Sequence, residues 1–200
     1  MRLSSFGYLI GMLAVVPFAR ADIIDWDAAD DGDGAIVCTT AFDDVGYVLD
    51  VDGVQYWWPG HVEGYFTTDT EQDPTVWFRN TVTNDMTVPP YVWTDFHITM
   101  QMNKTFNILD AFTSNTGWSY SYTPTATWDG DLGLWVGSVD FVMDPGGEPI
   151  DGTLIADGQF DFQVSWVGSM TFCMEYIPTP EPAALALLGL GGLFLRRLRR

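Results

Sequence analysis

The chain predicts an all-β fold, an antiparallel β-sandwich of jelly-roll type, followed by one short transmembrane helix at the C-terminus. Three observations predict it. Short alternations of apolar and polar residues recur between Gly, Pro, Asn and Asp turn signals, the pattern of half-buried strands. No stretch between residues 22 and 177 sustains a 3.6-residue period, so no long helix is expected there. An apolar run from Ala183 to Leu195 stands apart, with prolines before it and arginines after it.

Residues 1–21 have the order of a secretory signal peptide. Arg2 is followed by an apolar run from Leu3 to Phe18 and the small-x-small triplet Ala19-Arg20-Ala21, so cleavage is expected before Asp22. A retained membrane anchor is the alternative, and the shortness of the run argues against it. Setting both ends aside changes the charge. Between Asp22 and Ile177 lie 26 acidic residues and two basic ones, Arg79 and Lys104, a net charge of −24. Such a body repels phosphate backbones, which argues against nucleic acid as a partner. It favours solubility and divalent cations instead. Its content of Trp, Tyr, Phe and Val separates it from acidic disordered chains. A body spanning residues 22–177 is ample for one core.

The first stretch of that body, Asp22 to Gly34, gathers Asp25, Asp27, Asp30, Asp31 and Asp33 around two glycines. Clustered Asp and Gly can wrap oxygen ligands around calcium. The EF-hand spacing fails, however: counting from Asp27 puts Ala29 third and Cys38 twelfth, where the loop needs carboxylates. A solvated acidic arm is expected, with Ca2+ at these five aspartates as the alternative and no other metal or cofactor.

From Ala35 the pattern is β. Ala35 to Phe42 is a β-branched run, and Val54 to Trp58 and Val62 to Thr68 flank the turn signal Pro59-Gly60. Thr75 to Thr83 alternates, with Val76, Phe78 and Val82 on one face and Trp77, Arg79 and Thr81 on the other. After Pro89-Pro90, the residues Val92, Thr94, Phe96, Ile98, Met100 and Met102 are expected inward, with Asp95, His97, Thr99 and Gln101 outward. Asn115-Thr116-Gly117 marks a turn within the less regular stretch Asn103 to Tyr122. Thr125 to Trp128 and Leu132 to Met143 read as strands. Asp144 to Pro149 is a loop, since its prolines and glycines suit neither helix nor central strand.

Phe160, Phe162, Val164 and Trp166 share a parity with Met170, Phe172, Met174 and Tyr176. A two-residue turn at Gly168-Ser169 would set apolar residues opposite polar ones. A three-residue loop, Val167 to Ser169, keeps the apolar face intact by pairing Trp166 with Met170 and Val164 with Phe172, so a hairpin with a bulge-like Gly168 is expected. One long bent strand is the alternative.

The two cysteines, Cys38 and Cys173, form an even count in a chain read as exported, so a disulfide is expected. Closing a loop of 135 residues would stabilise the fold by about 5 kcal/mol on the chain-entropy argument. Two buried thiols on neighbouring strands are the alternative.

Catalytic signatures are thin. His61 and His97 have no Cys or carboxylate spacing that reads as a zinc site. Asp95 and His97 share the polar face of a strand, as an acid/base pair needs, but a cross-face hydrogen bond on a solvated sheet is the plainer expectation. There is no Gly-x-Ser-x-Gly elbow and no phosphate-binding Gly loop. The nine tryptophans carry a second reading. Trp57 and Trp58 adjoin a turn, and Trp118 and Trp128 lie near loops, where flat rings can stack on sugar faces. Trp135 and Trp166 sit on alternating strands, where Trp is ordinary core.

The C-terminal run of thirteen apolar residues, 183–195, is about 20 Å long as a helix, against a hydrocarbon core of about 30 Å. It spans only with thinning and snorkelling of its flanking arginines. Arg196, Arg197, Arg199 and Arg200 place its end in the cytoplasm and the body outside.

This end, residues 178–200, with Pro180-Glu181-Pro182, a Gly/Leu/Ala-rich span and a terminal arginine cluster, resembles the PEP-CTERM sorting signal. The run from Tyr91 to Ile98 is also similar to a segment of β-rich bodies in such proteins. The resemblance implies a bacterial exosortase substrate: export, a transient inner-membrane anchor, processing near Pro180-Glu181-Pro182 by a sorting protease, and delivery to the cell surface or extracellular matrix. A permanent tail anchor and a rhombosortase-type signal are the alternatives, but Gly191-Gly192 lies inside the span rather than before it. The body is therefore expected to be structural or interacting, without catalysis of its own. A carbohydrate-binding module acting in exopolysaccharide is the alternative, and a secreted hydrolase comes third.

Overall fold

Alternating apolar side chains leave each strand with one face to bury, and the chain meets that need by packing two sheets face to face. The computed structural model describes residues 21–86, 92–152 and 157–180. In chain order the strands are β1 (Ile23–Asp30), β2 (Ile36–Asp43), β3 (Val48–Gln55), β4 (Gly60–Thr68), β5 (Thr75–Asn84), β6 (Val92–Met102) and β7 (Phe106–Phe112). They continue with β8 (Trp118–Tyr122), β9 (Thr127–Asp129), β10 (Leu134–Met143), β11 (Ile150–Asp151), β12 (Asp157–Gln159), β13 (Asp161–Trp166) and β14 (Met170–Pro180). No helix occurs among the described residues.

The eight-stranded sheet runs β1-β4-β14-β6-β10-β8, with β11 beside the start of β6 and β9 beside the start of β10. The six-stranded sheet runs β2-β3-β5-β13-β7, with β12 on the end of β5. Pairing is antiparallel except between β3 and β5, which are parallel. That pair departs from the expected purely antiparallel sandwich because the chain crosses to the other sheet as β4 before returning as β5.

Between the sheets lies an aromatic core. Phe66 of one sheet stacks on Trp166 of the other, with ring centroids 5.6 Å apart, and Phe96 stacks on Phe160 at 4.0 Å with planes 3° apart. Each fully buried Phe contributes about 1.5–3 kcal/mol. Asn80 and Tyr176 tie their polar groups together in this core, whereas Trp93 Nε1 is buried without a hydrogen-bond partner among the described residues. The Tyr176 hydroxyl donates to Asn80 Oδ1 at 2.7 Å, and Asn80 Nδ2 donates to the Phe160 carbonyl at 2.8 Å.

Several expectations are corrected. The acidic arm is not free: residues 23–30 form β1, paired along β4, because Trp26 and Ala28 turn inward to the core. The expected hairpin from β13 to β14 does not form. Val167 to Ser169 is three residues long and Gly168 has φ +69°, as anticipated, but the loop carries the chain from one sheet to the other. Val164 and Phe172 thus face each other's sheets instead of pairing along an edge. In β6 the alternation slips near its start: Trp93 is buried with Phe96, opposite the register break at Thr179/Pro180 in β14.

The cysteines are both free thiols. Cys38 packs toward the core from β2, whereas Cys173 lies on the outward parity of β14, between buried Phe172 and Met174 in the other sheet. The expected bridge is therefore not made, since an even count carries no information on facing.

The strand β14 runs three residues past Ile177, where the body was expected to end. Pro178 and Pro180 lack N–H groups, but β4 stops pairing at Tyr176, so one side of β14 needs no donors beyond it. The expected signal peptide (residues 1–20 of it), Glu181, Pro182, the apolar span 183–195 and the arginines Arg196, Arg197, Arg199 and Arg200 lie outside the described residues. No helix among the described residues is long and apolar enough to cross a membrane.

A candidate ligand cleft on the six-stranded sheet

With Val76 and Phe78 committed to the core, the alternation of β5 sends Trp77 and Arg79 to the outer face. There they help line a cleft of about 610 Å³, within the range of small-ligand sites. The register sets their neighbours. Trp77 lies across from Val48 on β3 and Gln163 on β13, and Arg79 lies beside Asp50. The Arg79 guanidinium donates to Asp50 Oδ1 at 3.1 Å. Both groups are half-exposed, so the pair contributes at most about 1 kcal/mol.

Asp161 opens β13 in the same cleft and is only 6% exposed. Its oxygens accept hydrogen bonds from the Asn80 backbone N–H at 3.2 Å and from Gln159 Nε2 at 2.7 Å. Burial pushes its pKa above the usual aspartate value, against the hydrogen bonds and Arg79, which pull it down. On the far wall, β7 carries a bulge. Gln163 pairs with Asp110 but Val164 with Ile108, so Leu109 and Asp110 are both exposed and Asp110 borders the cleft. Phe112 and Tyr120, 48% and 44% exposed, complete an aromatic rim. An indole beside a guanidinium, carboxylates and an amide offers stacking together with hydroxyl recognition.

The tryptophans singled out from the sequence fall elsewhere. Trp57 is 58% exposed and Trp58 less so, but their rings meet at 73° and form no flat shelf. Trp128 is exposed and leans edge-on against Trp135. Trp118 is buried, its Nε1 donating to the Glu148 carbonyl at 2.7 Å. Trp77 was overlooked, although its place on the polar parity of an alternating strand, two residues from Arg79, was the available signal.

The two histidines sit on the outer side of the eight-stranded sheet. His97 is held by Asp140 Oδ1 at 2.5 Å from Nδ1 and by Asp95 Oδ1 at 3.2 Å from Nε2, the expected cross-face contact. The hydrogen bond to Asp95 leads in pushing its pKa up to about 9; burial opposes it, and the bond to Asp140 adds to it. A ring kept protonated at neutral pH is a poor general base.

Of the five aspartates read as a calcium alternative, Asp31 and Asp33 come together, and they do so with His61, with one ligand atom from each within 4.8 Å of the others. Asp25 instead accepts from the Tyr65 hydroxyl, Asp30 caps the Gly32 and Cys38 N–H groups, and Asp27 lies along β1 across from Tyr65. An imidazole with two carboxylates suits zinc or copper better than the all-oxygen shell of calcium.

A second cleft, about 430 Å³, opens on the outer side of the eight-stranded sheet beside Gly64, Gln101 and Cys173. Burial first, then nearby carboxylates, push both thiols up to about 11, which leaves them protonated and slow to react.

No protein-family model and no curated protein matches the chain. Among solved structures it is similar to a carbohydrate-binding module, TmCBM61, determined in complex with β-1,4-galactotriose. Identity is 13%, over 80% of this chain and 91% of that one, and the TM-score is 0.24, too low to carry an argument.

Proposed function

We propose that this chain is an exported, non-catalytic glycan-binding protein of the bacterial cell surface or extracellular matrix. The observation that carries the reading is the cleft on β5, where Trp77 is flanked by Arg79, Asp110 and Asp161 on a rigid sheet. An indole face covers the C–H face of a pyranose ring, while guanidinium and carboxylate groups exchange hydrogen bonds with its hydroxyls. Catalysis forms no part of the reading. Asp161, the acid with the raised pKa, is buried and has both oxygens engaged by donors within the fold.

Affinity electrophoresis of the full chain through gels holding a panel of polysaccharides tests it. Retardation in at least one gel, lost in Trp77→Ala and kept in Trp57→Ala, is expected. Unchanged migration throughout the panel would sink the proposal.

Sorting is proposed from the tail. Pro180, Glu181 and Pro182, the apolar span and the arginine cluster would serve an exosortase-type protease, with the inner membrane as a transient anchor. Mass spectrometry of the protein from its cells should find a chain starting at Asp22 and ending near Pro182. A stable surface form that keeps Arg200 would refute processing.

A further inference from the structure

We infer that the cleft takes an uncharged glycan, a neutral hexopyranose chain, in preference to an anionic or an aminated one. The inference rests on the glycan-binding reading above and names the ligand class of that same site. It follows from where the body's few positive charges are. Arg79 and Lys104 are the only Lys or Arg residues between Asp22 and Ile177, against 26 acidic ones, and His97 lies outside the cleft on the other sheet, held between Asp95 and Asp140. Arg79 borders the cleft but is already paired with Asp50 at 3.1 Å. Lys104 lies outside the cleft, 3.8 Å from Glu71. A uronate or sulfated sugar would thus find no free cation and would meet the field of a strongly acidic body as it approached.

The same field draws an ammonium group toward the body, but the floor of the cleft holds no free partner for it. It would sit against the Arg79 guanidinium, and Asp161 already spends its oxygens on Asn80 and Gln159. Asp110 then remains as a carboxylate at the exposed wall, itself accepting from the Ala111 N–H. What the cleft does offer is an aromatic face, guanidinium N–H donors and carboxylate acceptors close together. Sugar hydroxyls, which donate and accept at once, use all three without bringing a charge.

Titration calorimetry on the detergent-solubilised full chain, at low and high salt, separates the classes. The probes are neutral oligosaccharides (gluco-, galacto- and manno-oligomers), acidic ones (oligogalacturonate, alginate) and oligoglucosamine. We expect a neutral probe to bind with an affinity that salt leaves unchanged. Trp77→Ala should weaken it about tenfold or more, the loss typical of an aromatic anchor. Trp77→Phe should recover part of the loss, which also guards against a merely unfolded variant. Arg79→Gln, which keeps planar donors but no charge, should cost only about threefold.

Trp77-dependent binding confined to the acidic probes, or to oligoglucosamine, and weakened by salt would overturn the neutral class while leaving the glycan reading intact. Failure of every probe to bind would overturn both.

Discussion

Trp77 and Trp166 are the same side chain in opposite settings, one lining a cleft and the other sealed in the core with its Nε1 donating to the Gly168 carbonyl at 2.7 Å. Parity along the strand separates them, and that much was readable from the sequence. Which outward ring would border a hollow was not, because the hollow depends on the bulge at Leu109 and Asp110 two strands away. His97 permits a pH prediction. Its folded pKa, about 9, is above the ordinary value of 6.5, so its contribution is full below about 6.5 and is lost as pH rises through about 9. The ring is about a third exposed, and screening holds that contribution to about 1 kcal/mol. Urea midpoints should therefore fall more steeply over this window in the native chain than in His97→Gln; equal slopes would contradict the assignment. Asp161 makes a different prediction. Asp161→Ala strands two donors, Asn80 N–H and Gln159 Nε2, and should lower stability by about 1–3 kcal/mol. Asp161→Asn, which keeps an acceptor for Asn80, should cost less on the same thermal melt.

Strands are where sequence reading succeeded best and where its limit is clearest. The inward residues of β5 and β14 were legible from alternation alone. Their sheet membership was not. A three-residue loop after Trp166 satisfies parity whether it closes a hairpin or crosses between sheets, since both outcomes bury Val164 and Phe172. β1 was missed for a related reason: its acidic composition looks solvated until β4, about forty residues later, supplies its partner. One glycine reports on the packing of these elements. At Gly64 in β4, a Cβ would meet the Asp27 carbonyl oxygen and the Phe172 ring, so the bare backbone lets β1 and that ring close in from two sides. Gly64→Ala should destabilise the sandwich by about 1–3 kcal/mol. Gly130→Ala, where only Trp128 Nε1 comes near at 3.9 Å, should change the denaturation midpoint by no more than about 0.5 kcal/mol.

Across the whole molecule, the thiols and the order of the strands matter most. Because Cys38 and Cys173 belong to different sheets and Cys173 faces outward, alkylation under denaturing conditions without reductant should label two thiols per chain. No labelled thiol would mean that a bridge forms after all. The order of the strands has a consequence for how the molecule is made. In the eight-stranded sheet β14 lies between β4 and β6, yet it is the last of the described strands to be synthesised. Until it emerges, β4 and β6 have no common neighbour, the core lacks Phe172, Met174 and Tyr176, and the sheet is two separate halves. The eight-stranded sheet therefore cannot close before β14 is out, so a chain threaded through a narrow channel, as the proposed export would require, would complete it only on the far side.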